Sequence, residues 1–165
     1  MFEFFWKVKT LLSKQILAWK VLQNKVVTKD KLYRGGITIA SDLCVICGEG
    51  QETTSNVFFA CKVAWLICIK CYKWMNELIV QNSSLKSHFQ QFRLHRITNY
   101  ANKVWGDTWI VVIWEIWRQM NNVVFNNAII DAIEMFSLVQ LKAWTELLSN
   151  NIQLISCIHN CVLIP

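Results

Sequence analysis

The sequence is short of residues that turn a chain. One proline and five glycines serve 165 residues, so tight turns are few and long helices are expected. Charge is scarce too: 17% of residues are charged and 54% hydrophobic, a more apolar balance than an ordinary globular chain. Long hydrophobic runs are nevertheless missing. The best candidate, Trp109 to Trp117, falls short of the ~18–20 apolar residues of a bilayer span and contains Glu115, so no membrane partner is expected. The first nineteen residues mix Glu3, Lys7, Lys9 and Lys14 among apolar residues and lack a small-residue cleavage site, so no secretory signal is read there. The patterns of catalysis are missing as well. No Cys-His or Ser-His spacing supports nucleophilic catalysis, there is no aspartate pair on a hairpin and no carboxylate cluster, and an enzyme is not expected.

What the chain does have is cysteine in a telling arrangement. Seven is an odd number, and without a secretory signal it points to thiol or metal use rather than to a disulfide framework. Cys44-Val45-Ile46-Cys47-Gly48 makes a tight turn that aims two sulfurs at one point, and Cys61 returns a third fourteen residues later. Structural zinc takes four such donors, with Zn–S ~2.3 Å. Cys44, Cys47 and Cys61 are the candidate metal ligands and Zn2+ the candidate cofactor, with an incomplete ligand set. The fourth donor of a complete site is expected near Asn56, whose neutral amide is a poor zinc ligand. Cys68 and Cys71 are poor substitutes, because on a helix they lie roughly 10 and 15 Å beyond Cys61. They are read as core. His88 and His95 have no spacing that demands a ligand role, and the terminal Cys157-x-His159-x-Cys161 is read as chance.

The net charge of +6 has an address. Residues 1–34 hold eight basic and two acidic side chains, and the remainder balances at nine of each. A basic arm on a neutral body is the footprint of a polyanion contact, with a solvated helix face as the plainer reading. The candidate nucleic-acid-binding residues are Lys14, Lys20, Lys25, Lys29, Lys31 and Arg34, expected on one face that meets RNA or DNA phosphates.

Periodicity predicts a mostly α chain with one small irregular zinc-knuckle-like loop and a short β arm between helices. Ser13 is read as the cap of a helix to about Asn24, with Ile16, Trp19 and Leu22 or Gln23 on its apolar face. Thr28 opens a short helix that stops at Gly35-Gly36, and Ile37 to Leu43 links it to the cysteine turn. Val57-Phe58-Phe59 is read as the strand or extended arm. A helix follows over Lys62–Leu78, then a loop or weak helix over 81–101. Trp105, Trp109, Val112, Ile116, Met120 and Val123 mark a long helix broken at Asn126-Asn127. Asp131 with Glu134 opens a last helix carrying Ile133, Phe136, Ala143 and Trp144. The expected organisation is a knuckle-bearing domain over 1–80, a linker over 81–104, a helical hairpin over 105–150 packing on it, and a tail over 151–165.

Read in order, Trp19-Lys20-Val21-Leu22, Val26-Val27-Thr28-Lys29-Asp30-Lys31-Leu32, Arg34-Gly35-Gly36-Ile37, the cysteine turn, Glu52, Val57-Phe58-Phe59-Ala60-Cys61 and Val63-Ala64-Trp65 resemble a known domain. It is the zinc-binding domain that follows the reverse transcriptase in plant LINE-type non-LTR retroelements. Ile113 to Asn126, with Trp114, Trp117 and Asn121-Asn122, looks like the segment that trails it, so the resemblance covers about Trp6 to Asn150. The family pattern has proline at Val27, a histidine ligand at Asn56 and arginine at Met120, so this copy is degenerate. The resemblance implies a non-catalytic accessory domain touching the element's nucleic acid in an intracellular, nuclear setting. The alternative is a structural or protein-interaction helical domain, or a relic with neither metal nor nucleic acid, which buries its surplus apolar surface against a partner or by self-association.

Overall fold

A computed structural model describes residues 10–78, 80, 84–92 and 99–150. Lys7, Lys9, His95 and the Cys157–Cys161 tail lie outside them. In chain order come α1 (Leu12–Leu22), α2 (Lys29–Arg34), a π-helical turn (Asn56–Ala60), α3 (Lys62–Trp74), α4 (Leu85–Gln91), α5 (Asn99–Asn126) and α6 (Ala132–Asn150). No strand occurs among the described residues. The nearest thing is an isolated antiparallel bridge between Leu43 and Gln51.

The centre of the fold is α5. From Trp105 to Ile113 every residue is buried, Asp107 and Thr108 included, so this stretch of the helix is enclosed on all sides. The run that is too short for a bilayer is therefore the core helix. No helix among the described residues is long and apolar enough to cross a membrane. Against α5 pack α1, α6, α3 and the π turn. The buried stripe of α6 is Met135, Val139 and Ala143, four residues apart, while Ile133, expected inside, is exposed. Asp131 opens that helix by accepting the amides of Ile133 (2.7 Å) and Glu134 (3.4 Å). Glu115 of α5 is fully buried and ion-paired to Arg118 at 2.9 Å and to Lys142 of α6, which locks the two helices.

Helix α1 starts at Leu12, so Ser13 lies in its first turn and does not cap it. Its buried face is Lys14, Gln15, Leu17, Ala18, Val21 and Leu22, not the expected Ile16–Trp19 stripe. The helix is rotated because Ala18 and Val21, both fully buried, let its backbone approach α5 closely. Ile16 is left exposed and Trp19 half-buried. The same rotation carries Lys14 inward.

Scarce glycine shows at the helix ends. Asn24, Asn76 and Asn127 all have φ near +50° and follow helices α1, α3 and α5. Behind them, amides reach back five residues: Lys25 N to Lys20 O (2.7 Å), Glu77 N to Tyr72 O (2.9 Å) and Ala128 N to Asn122 O, six residues back (3.2 Å). Asparagine here takes the left-handed C-terminal position that glycine holds in most helices. This ends α3 at Trp74, four residues before the expected Leu78. Only α2 uses glycine, with Gly36 at φ +82°.

The expected β arm is not there. Val57, Phe58 and Phe59 are all buried, in a π turn closed by Cys61 N donating to Asn56 O at 2.7 Å. A strand would turn the middle residue to the opposite face and would need a partner for its backbone groups. The wide turn inserts all three side chains into the core and satisfies its own backbone. Residues 81–101, read as loop or weak helix, include α4 and the first residues of α5. Ser84 caps α4 by accepting the Ser87 amide at 3.1 Å. His88, Phe89 and Phe92 enter an aromatic cluster with Tyr72, Trp105 and Trp109, ring centroids 4.7–5.3 Å apart.

Candidate metal centre

The cysteine turn is built by local backbone bonds. Gly48 N donates to Cys44 O at 2.8 Å and Cys44 N to Gly50 O at 2.9 Å. Gly48 (φ +70°) and Gly50 (φ +64°) supply the left-handed conformations that fold the loop back under Cys44. Amides of Cys47 and Ile46 point at the Cys44 sulfur. Cys61 reaches the site from the other side. It occupies the N-terminal boundary of α3, where Trp65 N donates to Cys61 O at 2.8 Å and the Ala64 amide faces its sulfur. The position is electropositive because the first amides of a helix are unpaired.

These two pieces bring three sulfurs together. Cys44, Cys47 and Cys61 place their Sγ atoms within 4.8 Å of one another, and all three thiols are free. Cys44 and Cys61 are buried and Cys47 is half-buried. Sulfurs at tetrahedral angles around zinc lie ~3.8 Å apart, given Zn–S of ~2.3 Å. The trio therefore closes on an ion with small side-chain movements. The electrostatics favour anionic sulfur on one side: a hydrogen bond from Cys61 holds the Cys44 thiol at about 6, against its ordinary 9.0, and neighbouring amides help. Cys61, donating that bond and buried, is pushed up. Metal binding would displace its proton. The Lys62 ammonium sits beside Glu49 and near Cys47 and Cys61, where it offsets thiolate charge.

The set is one donor short of a tetrahedron. The Asn56 amide nitrogen donates to Gln51 O at 2.8 Å and lies against Gly50, so this side chain flanks the loop that closes on Cys44. Cys68 and Cys71 are fully buried in α3, away from the trio. Burial raises Cys68 to about 12, and burial with the neighbouring Cys68 pushes Cys71 well up, which leaves both as inert core thiols. His88 is also core. Its Nδ1 accepts from Trp109 Nε1 at 3.3 Å, and burial lowers its titration to about 4.

Glu52, read in the sequence only as one residue of the resemblance, has a structural role that sequence reasoning did not assign. It is buried, and its carboxylate accepts the Val45 amide within the cysteine turn and the Lys29 amide at the start of α2, each at 3.2 Å. Its own backbone bonds Asp42 O (2.7 Å) and accepts from Asp30 N (3.3 Å). One carboxylate thus clamps the knuckle to α2. Its burial was the missing signal, and a glutamate in a polar loop gives no hint of it.

The six candidate basic residues do not share one face. Lys14 is buried on α1. Lys31 Nζ donates to Asn24 O (2.6 Å), Val26 O (2.7 Å) and Thr54 Oγ1 (2.8 Å), and burial lowers its titration. Lys29 Nζ donates to Leu43 O at 2.7 Å and lies 3.8 Å from Glu52. These cations hold loops together. Lys20 is exposed, Lys25 is exposed over the Trp19 ring at 5.3 Å, and Arg34 pairs with Asp30 at 2.7 Å while remaining largely exposed.

Against this geometry, comparison with known proteins gives one match. No curated protein and no solved structure matches the chain. Residues 1–67 match the family model described as zinc-binding in reverse transcriptase, a span that holds all three clustered cysteines and Asn56 and stops short of Ile113–Asn126.

Proposed function

We propose that this chain is a non-catalytic accessory domain derived from a reverse transcriptase, holding one Zn2+ on Cys44, Cys47 and Cys61 in a degenerate copy of the plant LINE-type module. The observation that carries the reading is the convergence of three sulfurs within a span that matches a zinc-binding model. The ion would act structurally, tying the Cys44–Cys47 turn to the start of α3. The non-family residues Val27, Asn56 and Met120 support the degenerate assignment. Native mass spectrometry tests the metal. One zinc per chain is expected, lost in Cys47→Ser; a zinc-free wild type rejects the site.

Nucleic-acid contact forms the second part of the proposal. It falls to Lys20, Lys25 and Arg34, whose charged heads are exposed, while Lys14, Lys29 and Lys31 support the fold. Such contact neutralises phosphates without reading sequence, so affinity for single-stranded RNA should fall steeply with salt. A flat salt response rejects it. The exposed apolar side chains Val27, Val124 and Phe125 favour a second reading, an interaction domain. A clean monomer in light scattering argues against self-association as its basis.

A further inference from the structure

Where the span matching the zinc-binding model meets the C-terminal half of α5, the surface opens into a half-open groove of ≈ 550 Å³. Leu17, Val26, Val27, Leu32, Met120 and Val124 give it an aliphatic lining. Its α5 wall runs from Trp117 to Phe125, about 12 Å or two helical turns. Val27, Val124 and Phe125 are at least half exposed there. Lys20, Lys25 and Lys29 stand along the groove. Lys29 is held by Leu43 O and Glu52, whereas Lys20 and Lys25 have no acidic partner among the described residues.

We infer that this groove docks an acidic amphipathic helix of a partner protein. A half-open groove leaves one side of its occupant in water, so the occupant must carry a polar face of its own. The lining selects aliphatic side chains at helical spacing, and Lys20 and Lys25, with no acidic partner among the described residues, select carboxylates beside them. Nucleic acid fits less well, because aliphatic side chains outnumber the two aromatic ones, Trp117 and Phe125, on which bases could stack. Residues 1–9, with one acid and two lysines, and residues 151–165, with no acid, lack the charge that such an occupant needs. The groove needs no metal, so this inference does not depend on the zinc reading.

The probe is a fluorescein-labelled peptide of about 14 residues, long enough to be helical when bound, with leucines at helical spacing and glutamates between them. Fluorescence anisotropy against the full chain should show saturable binding. Lys20→Glu with Lys25→Glu, and separately Val27→Gln with Val124→Gln, should each weaken it about tenfold, roughly 1.4 kcal/mol. These positions are exposed or partly so, and an unchanged melting curve establishes that each variant folds. Arg34 does not line the groove, so Arg34→Glu should leave the peptide unaffected while weakening single-stranded RNA. Several results overturn the proposal: no binding; equal binding of a peptide with the same composition but scrambled spacing; binding indifferent to the Val27 and Val124 pair; RNA binding that depends on that pair; or a dimer that the pair dissolves, which would make a second copy the occupant.

Discussion

Replacing Asn56 by histidine tests the metal site most sharply, because its effect changes sign with zinc. Without metal the substitution removes the exposed hydrogen bond from Asn56 Nδ2 to Gln51 O, 2.8 Å long. That costs about 0.5 kcal/mol. With metal, histidine offers the missing donor beside the loop that closes on Cys44. Structural zinc contributes ≈ 10–16 kcal/mol over four ligands, or roughly 3 per donor, part of which a water already supplies. A net gain of about 2 kcal/mol, roughly thirtyfold in affinity, is expected. Competition against a chromophoric chelator measures the affinity, and urea titrations with and without zinc measure stability. Apo Asn56→His should be the less stable protein and the zinc-loaded form the more stable one. A variant destabilised in both conditions, with zinc affinity unchanged, would refute the reasoning, because position 56 would then not face the three sulfurs.

Removing the Glu52 carboxylate should leave the part-buried amides of Lys29 and Val45 without their acceptor, so Glu52→Ala is expected to cost about 2 kcal/mol in urea unfolding. Glu52→Gln, which keeps one acceptor, should cost less, and a loss under about 1 kcal/mol for the alanine would deny the clamp. His88 makes stability depend on pH. Its folded titration near 4 lies below the ordinary 6.5, so the unfolded chain binds the proton first. The contribution is complete above pH 6.5 and is lost as pH falls toward 4, about 3 kcal/mol in all. In His88→Phe that slope should vanish from chemical unfolding measured across the window. Asn76→Ala should lower stability by about 1 kcal/mol because alanine resists φ +54°, while Asn76→Gly should not. Equal thermal shifts for the two would show that conformation is not what selects asparagine there.

The features that could be read from the chain rest on neighbours within a few residues. The Cys44–Gly48 turn, the Asp131 cap, the stop at Gly35-Gly36 and the long helix through Trp109 are each closed by bonds spanning about one turn. The cysteine pattern also groups Cys61 with the turn, but nothing in a fourteen-residue gap fixes where the chain returns, and only the fold brings its sulfur within 4.8 Å of the other two. Tertiary structure decided what depends on distant partners. Packing of α1 on α5 chose its buried face and drew Lys14 inward, and Asp107 accepts the Thr10 hydroxyl at 3.1 Å from 97 residues away. Core demand for three consecutive side chains turned Val57–Phe59 into a π turn, and the aromatic cluster took His88. The loops between the cysteine turn and α2 claimed Glu52, Lys29 and Lys31 as internal struts. A sequence states which groups carry charge; only the packed chain determines which of them meet one another and which remain for a ligand.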